Sequence, residues 1–402
     1  MTAATHHHEA PDHEHDVVVV GARSAGAATA MLLARQGHDV ALVDRATFPS
    51  DTLSTHALSR GGVVQLARWG LLDEVVASGA PPVRAITFRI GEGAALTRAV
   101  KERAGVDHLL APRRHVLDTI LVRAAETSGA ALMAGLRVTD TITDGSGRVV
   151  GVTTRTAEGR SREIRGRFVV GADGVRSRIA RSVGAPMIDR RTSDSTAHYA
   201  YVAGLDDREF EFHVGERTWA GIFPTHGGEA AVWICVPASD GTLDGRDRSA
   251  SFADLLARRV PSLAERVRAG QMVTDVRSAV RFPNHVRTAT GPGWALVGDA
   301  GYHRDPITGH GMTDAFRDAE LLARRIDDAL RGTPEEAALA AYADERYRAL
   351  APIFDVTWRL AQYPPVEQFV ELQMHLNDLT EAEADMLAAM PPLSRPARLV
   401  AA

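Results

Sequence analysis

The sequence predicts an α/β protein: a Rossmann-like domain, a second domain on a mainly antiparallel β-sheet, and C-terminal helices. Three observations carry this. VVVVGARSAG, residues 17–26, runs from a continuous apolar stretch into a glycine turn. The chain then reads helix and strand up to Asp44, within the roughly 30 residues that a βαβ unit needs. Residues 196–236 alternate short strand-like runs with glycine turns, and from Gly311 onward the pattern is mostly helical.

Taken in order, Val17 to Val20 suit a parallel strand covered on both faces. Small and apolar residues from Ala25 to Gln36 predict a helix lying close on the sheet, ended by Gly37, and Asp39 to Val43 predict a second buried strand. The polar stretch FPSDTLSTHALSRGG leads into a helical segment, VVQLARWGLLDEVVASG, and AITFRI after Pro81 and Pro82 reads as a strand. RRHVLDTILVRAAETSGA has helical spacing and ALMAGLRV reads as a strand. A hairpin turning at DGSG occupies about 140–170 and returns through FVVGADG; WALVGDAG resumes the buried-strand style. The PPLSRPARLVAA end is expected to be irregular.

A chain of 402 residues with a formal charge of -5 can bury a large core and has no charge-based reason to bind nucleic acid. No apolar run reaches the roughly 18 residues of a membrane span, and no signal peptide is visible, so a cytoplasmic protein is expected. The single cysteine, Cys235, lies in apolar VWICVP and reads as a buried structural thiol. Residues 1–15 are polar and His-rich and read as a disordered tail, with no metal site assigned.

Gly21 and Gly26 stand where a Gly-x-Gly-x-x-Gly fingerprint requires them, but Arg23 replaces the middle glycine. The helix starting near Ser24 would point its positive end at a phosphate. Asp44, twenty-three positions after Gly21, can accept both ribose hydroxyls and would repel a 2′-phosphate, which favours an ADP-containing cofactor over NADP at this turn. Arg23 has two readings: its guanidinium reaches a phosphate or the ring region, or it points into solvent.

Two further stretches extend the pattern. VVGADGVRSRIAR (169–181) resembles the Asp-Gly motif of FAD-dependent aromatic hydroxylases, and WALVGDAGYHRDPITGHGMTDAFRDAELL (294–322) resembles their second FAD motif. With all three motifs in order, the chain resembles the flavoprotein monooxygenases of the p-hydroxybenzoate hydroxylase fold, whose superfamily includes geranylgeranyl reductases and flavin-dependent halogenases. The likeness covers most of residues 16–350. It implies a discontinuous FAD-binding domain (16–80, 100–182 and 286–332), a substrate domain (81–99 and 183–285) and a C-terminal helical region (333–402).

Carried onto this sequence, the resemblance implies that Gly21, Ser24, Ala25 and Gly26 hold the pyrophosphate, Asp44 the ribose, and Arg45 the neighbourhood of adenine. Arg114 would reach the phosphate or ribityl region and Val138 would meet adenine through its backbone. Asp173 and Gly174 match the Asp-Gly motif; Gly298 and Asp299 match the Gly-Asp pair, with Asp299 on the ribityl chain. Pro306 and Gly309 follow in that motif, and Gly311 and Met312 begin a helix facing flavin N1 and the C2 carbonyl. Arg60 is a further candidate for the pyrophosphate, or else covers the surface. Tyr302 and Thr313 stand where the family often has His and Asn, so neither receives a role. In the loop PSDTLSTH the resemblance implies that Asp51 to His56 border the ring, with threonine and serine there on flavin N3 or O4, and His56 either faces substrate as an acid or base or caps the next helix. His303 and His310 fall near the ring without an assigned mechanism.

The activity implied is an NAD(P)H- and O2-dependent FAD monooxygenase that hydroxylates or epoxidises a small aromatic or polyketide-like substrate through a flavin C4a-hydroperoxide. NADH or NADPH would be a transient reductant, and no obligate protein partner is evident. The alternatives are an FAD-dependent reductase of the geranylgeranyl reductase type and, further off, a halogenase. The halogenase Trp-x-Trp-x-Ile-Pro motif is not matched by Trp233 to Pro237, and Lys101 lies in a charged stretch.

Overall fold

The computed structural model describes residues 14–52, 57–93, 95–206, 208–243 and 247–393. Its first half runs β1 (Glu14–Val20), α1 (Ser24–Arg35), β2 (Val40–Asp44), α2 (Arg60–Arg68), α3 (Leu72–Ala77), β3 (Ala85–Ile90), β4 (Ala95–Ala99), α4 (Arg114–Thr127), β5 (Ala131–Ala134), β6 (Arg137–Thr143), β7 (Val149–Arg155), β8 (Ser161–Gly171) and α5 (Arg178–Ser182). Then come β9 (Met187–Thr192), β10 (Ser195–Ala203), β11 (Phe210–Gly215), β12 (Thr218–Pro224), β13 (Glu229–Pro237), α6 (Ala238–Gly241), α7 (Arg248–Arg259), α8 (Pro261–Ala269), β14 (Gln271–Met272) and β15 (Arg277–Val280). The last part is β16 (Pro283–Arg287), β17 (Thr290–Gly291), β18 (Trp294–Leu296), β19 (Tyr302–His303), α9 (Gly311–Leu330), α10 (Glu335–Leu360) and α11 (Val366–Ala389).

The first sheet orders its strands β17–β18–β8–β1–β2–β5, parallel from β18 to β5, with β7 and β6 folded back antiparallel beyond β8. Val20 pairs with both Val43 and Gly171, so β1, β2 and β8 end at the same edge. That register brings Gly21, Asp44 and Asp173 to one side of the sheet, where open α/β folds bind ligands. Glu14 and His15 belong to β1, opposite Arg165 and Gly166, and His15 Nδ1 lies 3.0 Å from Asp39. This corrects the last two residues of the expected tail of 1–15, whose residues 1–13 lie outside the described ones: strand pairing begins three residues earlier than the apolar run suggests.

The second sheet runs β14–β10–β13–β12–β11–β3–β4, with β15 also paired to β10. Alternation with period two sends its residues to two cores. Tyr199, Tyr201, Trp219, Trp233 and Cys235 pack with α10 and α11 through Ile353, Leu360 and Phe369. Ala200, Val202, Ile222, Val232 and Ile234 pack on α7 and α8 through Phe252, Leu255 and Leu263. The sequence reading passes over α7 and α8, which cover the second face and keep this antiparallel sheet from being half-solvated.

The third, three-stranded sheet, β19–β16–β9, delivers the chain into the 304–310 segment. Beneath that segment, a buried ion network ties α9 to α10 and α11. Arg317 is fully buried and meets Asp314 (2.8 Å), Glu383 (2.7 Å) and Asp318 (2.9 Å), while Arg346 meets Asp318 (2.7 Å). Buried charges persist only when paired in this way. Among the described residues, no helix is long and apolar enough to cross a membrane.

Candidate active site

A cavity of about 850 Å³ extends from the carboxyl edge of the first sheet to the face of β10 and β15. That size is usual for a cofactor or small-molecule site, roughly 300–1,000 Å³. Its first end is built by the turn after β1. Gly21 has φ 104°, and a Cβ there would stand 2.4 Å from the Ala172 carbonyl oxygen, so only glycine lets β1 turn against β8. Asp44 clasps this turn: its Oδ2 accepts from Ala22 N (2.6 Å) and its Oδ1 from Ala46 N (2.7 Å). Arg23, the N-cap of α1, makes no side-chain cap bond, so the first N–H groups of α1 face the cavity beside Ser24 and Ala25.

The Arg23 guanidinium is engaged with protein. It donates to Asp118 Oδ2 (2.9 Å), to the Ser50 carbonyl (3.2 Å), to Ser50 Oγ (3.0 Å) and to the Asp51 carbonyl (3.2 Å). Asp118, fully buried on α4, also accepts from Ser24 Oγ (3.1 Å) and from Arg114 Nη2 (3.1 Å to each oxygen). Two guanidinium groups therefore share one carboxylate on the cavity wall, leaving a net positive charge beside the open end of α1.

Asp173 caps α5, accepting from Ser177 Oγ (2.5 Å) and Arg178 N (2.5 Å). Burial pushes its pKa up despite those bonds. Gly174 has φ 78°, with open space where a Cβ would stand. Across the cavity, Asp299 is exposed at the cavity wall, and the protein packed around its carboxyl strips away enough water to raise its pKa. Among the described residues no protein group hydrogen-bonds its carboxyl, which borders the cavity. Asp305 is wholly buried, accepts from Ser193 Oγ (2.8 Å) and Ile307 N (3.1 Å), and is pushed up to about 6 by burial. It caps the short turn Pro306–Thr308, which Gly309 closes at φ 62°. The next helix, α9, starts without a side-chain cap, so its first N–H groups beside Gly311 and Met312 meet the cavity.

His310 has both ring nitrogens occupied, by Ser59 Oγ (2.9 Å) and Glu383 Oε2 (2.6 Å). His310, Asp314 and Glu383 form a trio of metal-ligand type, but Arg317 bridges its two carboxylates. Burial works to raise the Glu383 pKa, yet His310 and Arg317 outweigh it and hold it near about 2. His303 Nδ1 donates to the Pro283 carbonyl (2.5 Å), which leaves Nε2 as its acceptor nitrogen.

At the far end the wall is apolar and comes from the second sheet: Ala197 and Tyr199 on β10, Ala279 on β15, then Phe282, with Ala57 opposite. Asp51 also borders the cavity and pairs with Arg277 of β15 at 3.1 Å.

All the predicted cofactor residues border this cavity except three. A Cβ at Gly26 would stand 1.7 Å from the Gly21 carbonyl oxygen, so Gly26 serves the packing of α1 on its own turn. Gly298 fits against Ala25 and receives Asp318 Oδ2 at its N–H (3.2 Å), joining α1 to α9. Arg60 is turned away, bound through Nε to Glu381 (2.8 Å) and through Nη1 to the Val106 carbonyl (2.5 Å). Its expected contact with the pyrophosphate is corrected to a tie between α2 and α11. His56 lies outside the described residues. Asp51, expected to border the ring, does line the cavity, whereas sequence reasoning missed Asp118 and Arg277; only Asp118 leaves a local signal, four residues after Arg114 on one helix face.

The open edge of a parallel sheet, two uncapped helix starts and a chamber against a second sheet mark a nucleotide-cofactor site. The chain belongs to the FAD binding domain family, which it matches over residues 14–357, and is an FAD-dependent oxidoreductase. It is 24% identical over 361 residues to a digeranylgeranylglycerophospholipid reductase of Methanocella arvoryzae, covering 87% of each chain. It is 29% identical over 337 residues to a menaquinone reductase of Mycobacterium tuberculosis, covering 79% of this chain and 77% of that one. In fold it is similar to PqsL, a probable FAD-dependent monooxygenase from Pseudomonas aeruginosa, with a TM-score of 0.77, 23% identity, and coverage of 90% and 100%.

The cavity fits FAD. Unsatisfied N–H groups at α1 and the nearby Arg114 suit a pyrophosphate, and the unpartnered Asp299 carboxyl suits the hydroxyls of a ribityl chain.

Proposed function

We infer that the protein is a monooxygenase that uses NAD(P)H and O2 to hydroxylate or epoxidise a small apolar organic substrate. The observation that carries this reading is the continuity of one cavity, from the phosphate-type turn at Gly21 past Pro306 and α9 to the apolar wall of β10 and β15. When bound, FAD supplies the redox chemistry, accepting reducing equivalents from the nicotinamide and delivering them to oxygen.

The chain's own residues bind, orient and shield. Gly21, Ser24 and Ala25 with Arg114 would hold the pyrophosphate, Asp44 the ribose, and Asp299 the ribityl hydroxyls. The start of α9, beside Gly311 and Met312, would stabilise negative charge at the pyrimidine edge of a reduced flavin. Ala197, Tyr199, Ala279 and Phe282 would seat the substrate and exclude water.

A second reading has support of its own. The reductase relatives, at 24% and 29% identity, favour reduction of an isoprenoid double bond, which consumes reduced flavin without O2. The two readings part in one assay: NADH and NADPH oxidation and product formation with candidate substrates, under air and under nitrogen. The monooxygenase reading expects an oxygenated product under air and no turnover under nitrogen. A reduced product that forms equally under nitrogen overturns it in favour of the reductase.

A further inference from the structure

Asp51 borders the cavity, and Arg277, one step behind the lining, pairs with it. Arg277 stands opposite Tyr199 in the β10–β15 pairing, on the same face as the lining residue Ala279. Its Nη2 lies 3.1 Å from Asp51 Oδ2. The next guanidinium in the wall, Arg304, is committed to Asp314 at 2.5 Å. Among the described residues, neither Arg277 nor Arg304 offers an unpaired positive charge to a ligand here.

Asp51 is also held in place. Its Oδ1 accepts from Thr52 N (2.9 Å), and its carbonyl accepts from Arg23 Nη2 (3.2 Å). Arg23 grips Ser50 by two more bonds and is anchored on the buried Asp118. The residue that breaks the glycine fingerprint thus fastens the Ser50–Asp51 segment between the two sheets. A carboxylate-bearing ligand entering here would meet Asp51 as a like charge.

We propose that Asp51, clamped by Arg23 and paired with Arg277, is a specificity-determining residue that makes this end of the cavity select neutral, apolar, ring-bearing ligands over their carboxylate analogues. The inference rests on the reading of this end as the substrate end.

The test uses the FAD-loaded protein without reductant, titrated with 2-naphthol and with 2-naphthoate near about pH 7.5, where only the second is ionised. Binding is followed by perturbation of the flavin absorption band, so turnover plays no part. The wild type should bind naphthol about tenfold or more tighter than naphthoate. Asp51→Asn should narrow that ratio at least about threefold by strengthening naphthoate, because Arg277 is released. Arg277→Leu, which leaves the Asp51 charge unpaired, should weaken naphthoate further while sparing naphthol. A merely structural role for Asp51 would weaken both ligands together. A wild-type preference for naphthoate, or a ratio unchanged in Asp51→Asn, overturns the selectivity and leaves the substrate end standing. If neither ligand perturbs the flavin, the placing of the substrate end falls, and this inference with it.

Discussion

At one end of the cavity the ligand-facing surface is mostly backbone: the turn at Gly21, the first N–H groups of α1, and the start of α9. At the other it is side chain: alanines and rings projected from β10 and β15, beside Asp51 with its partner Arg277. The difference sets what each end tolerates. A backbone site depends on close approach of main-chain atoms and fails when a methyl group intrudes. A side-chain site changes its ligand when a side chain changes, and the fold survives.

The largest expected effect breaks the backbone end. In Gly26→Ala the new Cβ would stand 1.7 Å from the Gly21 carbonyl oxygen, an overlap with main chain that no side-chain motion relieves. We expect destabilisation of about 3 kcal/mol or more and loss of bound flavin, read by urea denaturation and the flavin-to-protein ratio.

Next comes a pH effect behind the side-chain end. Burial raises the Asp305 pKa from 3.8 to about 6, so between about pH 4 and 6 the folded protein binds more protons than the unfolded chain. Stability from this group is therefore present at low pH and lost as pH rises through 6. Asp305→Asn should lack that loss and gain about 2–3 kcal/mol relative to wild type between pH 4 and 7, seen in denaturation curves across pH. An identical pH slope in both proteins would remove the burial argument.

Asp299→Asn sharpens the contrast between holding cofactor and holding the fold. Loss of the charged acceptor should weaken FAD about ten- to a hundredfold, measured by flavin titration of the apoprotein. Apoprotein stability should stay level, because the Asp299 carboxyl is exposed at the cavity and bonds to no protein group among the described residues. The smallest effect belongs to the side-chain end: Ala279→Val should leave flavin content unchanged and move stability by less than about 1 kcal/mol, while substrate KM shifts several-fold.

The same contrast explains what was legible in the sequence. Gly21, Asp44, Gly174 and Gly309 announce themselves because backbone geometry demands particular residues at fixed spacing, and three such motifs identify the fold without alignment. Ala197, Ala279 and Phe282 carry no spacing signature; an alanine facing a ligand reads like any strand alanine. Asp51 and Arg277 lie far apart in sequence and meet only through the register of β15 against β10. Arg60 shows the opposite failure: its place at the start of α2 suggests phosphate, but Glu381 on α11 claims it. Arg23 was half legible. Its position predicted a role at the cavity, and the fold supplied the partner, a loop in place of a phosphate.

The central claim is that one cavity holds FAD along its length, with its phosphates at the backbone end and its ring toward the second sheet. A crystal structure of the FAD complex tests it most directly. The account predicts the pyrophosphate over the start of α1, ribityl hydroxyls bonded to Asp299, and the isoalloxazine beside Pro306 with its open face toward Tyr199 and Phe282. FAD bound in the reverse sense, or with its ring outside the chamber walled by β10 and β15, would contradict it.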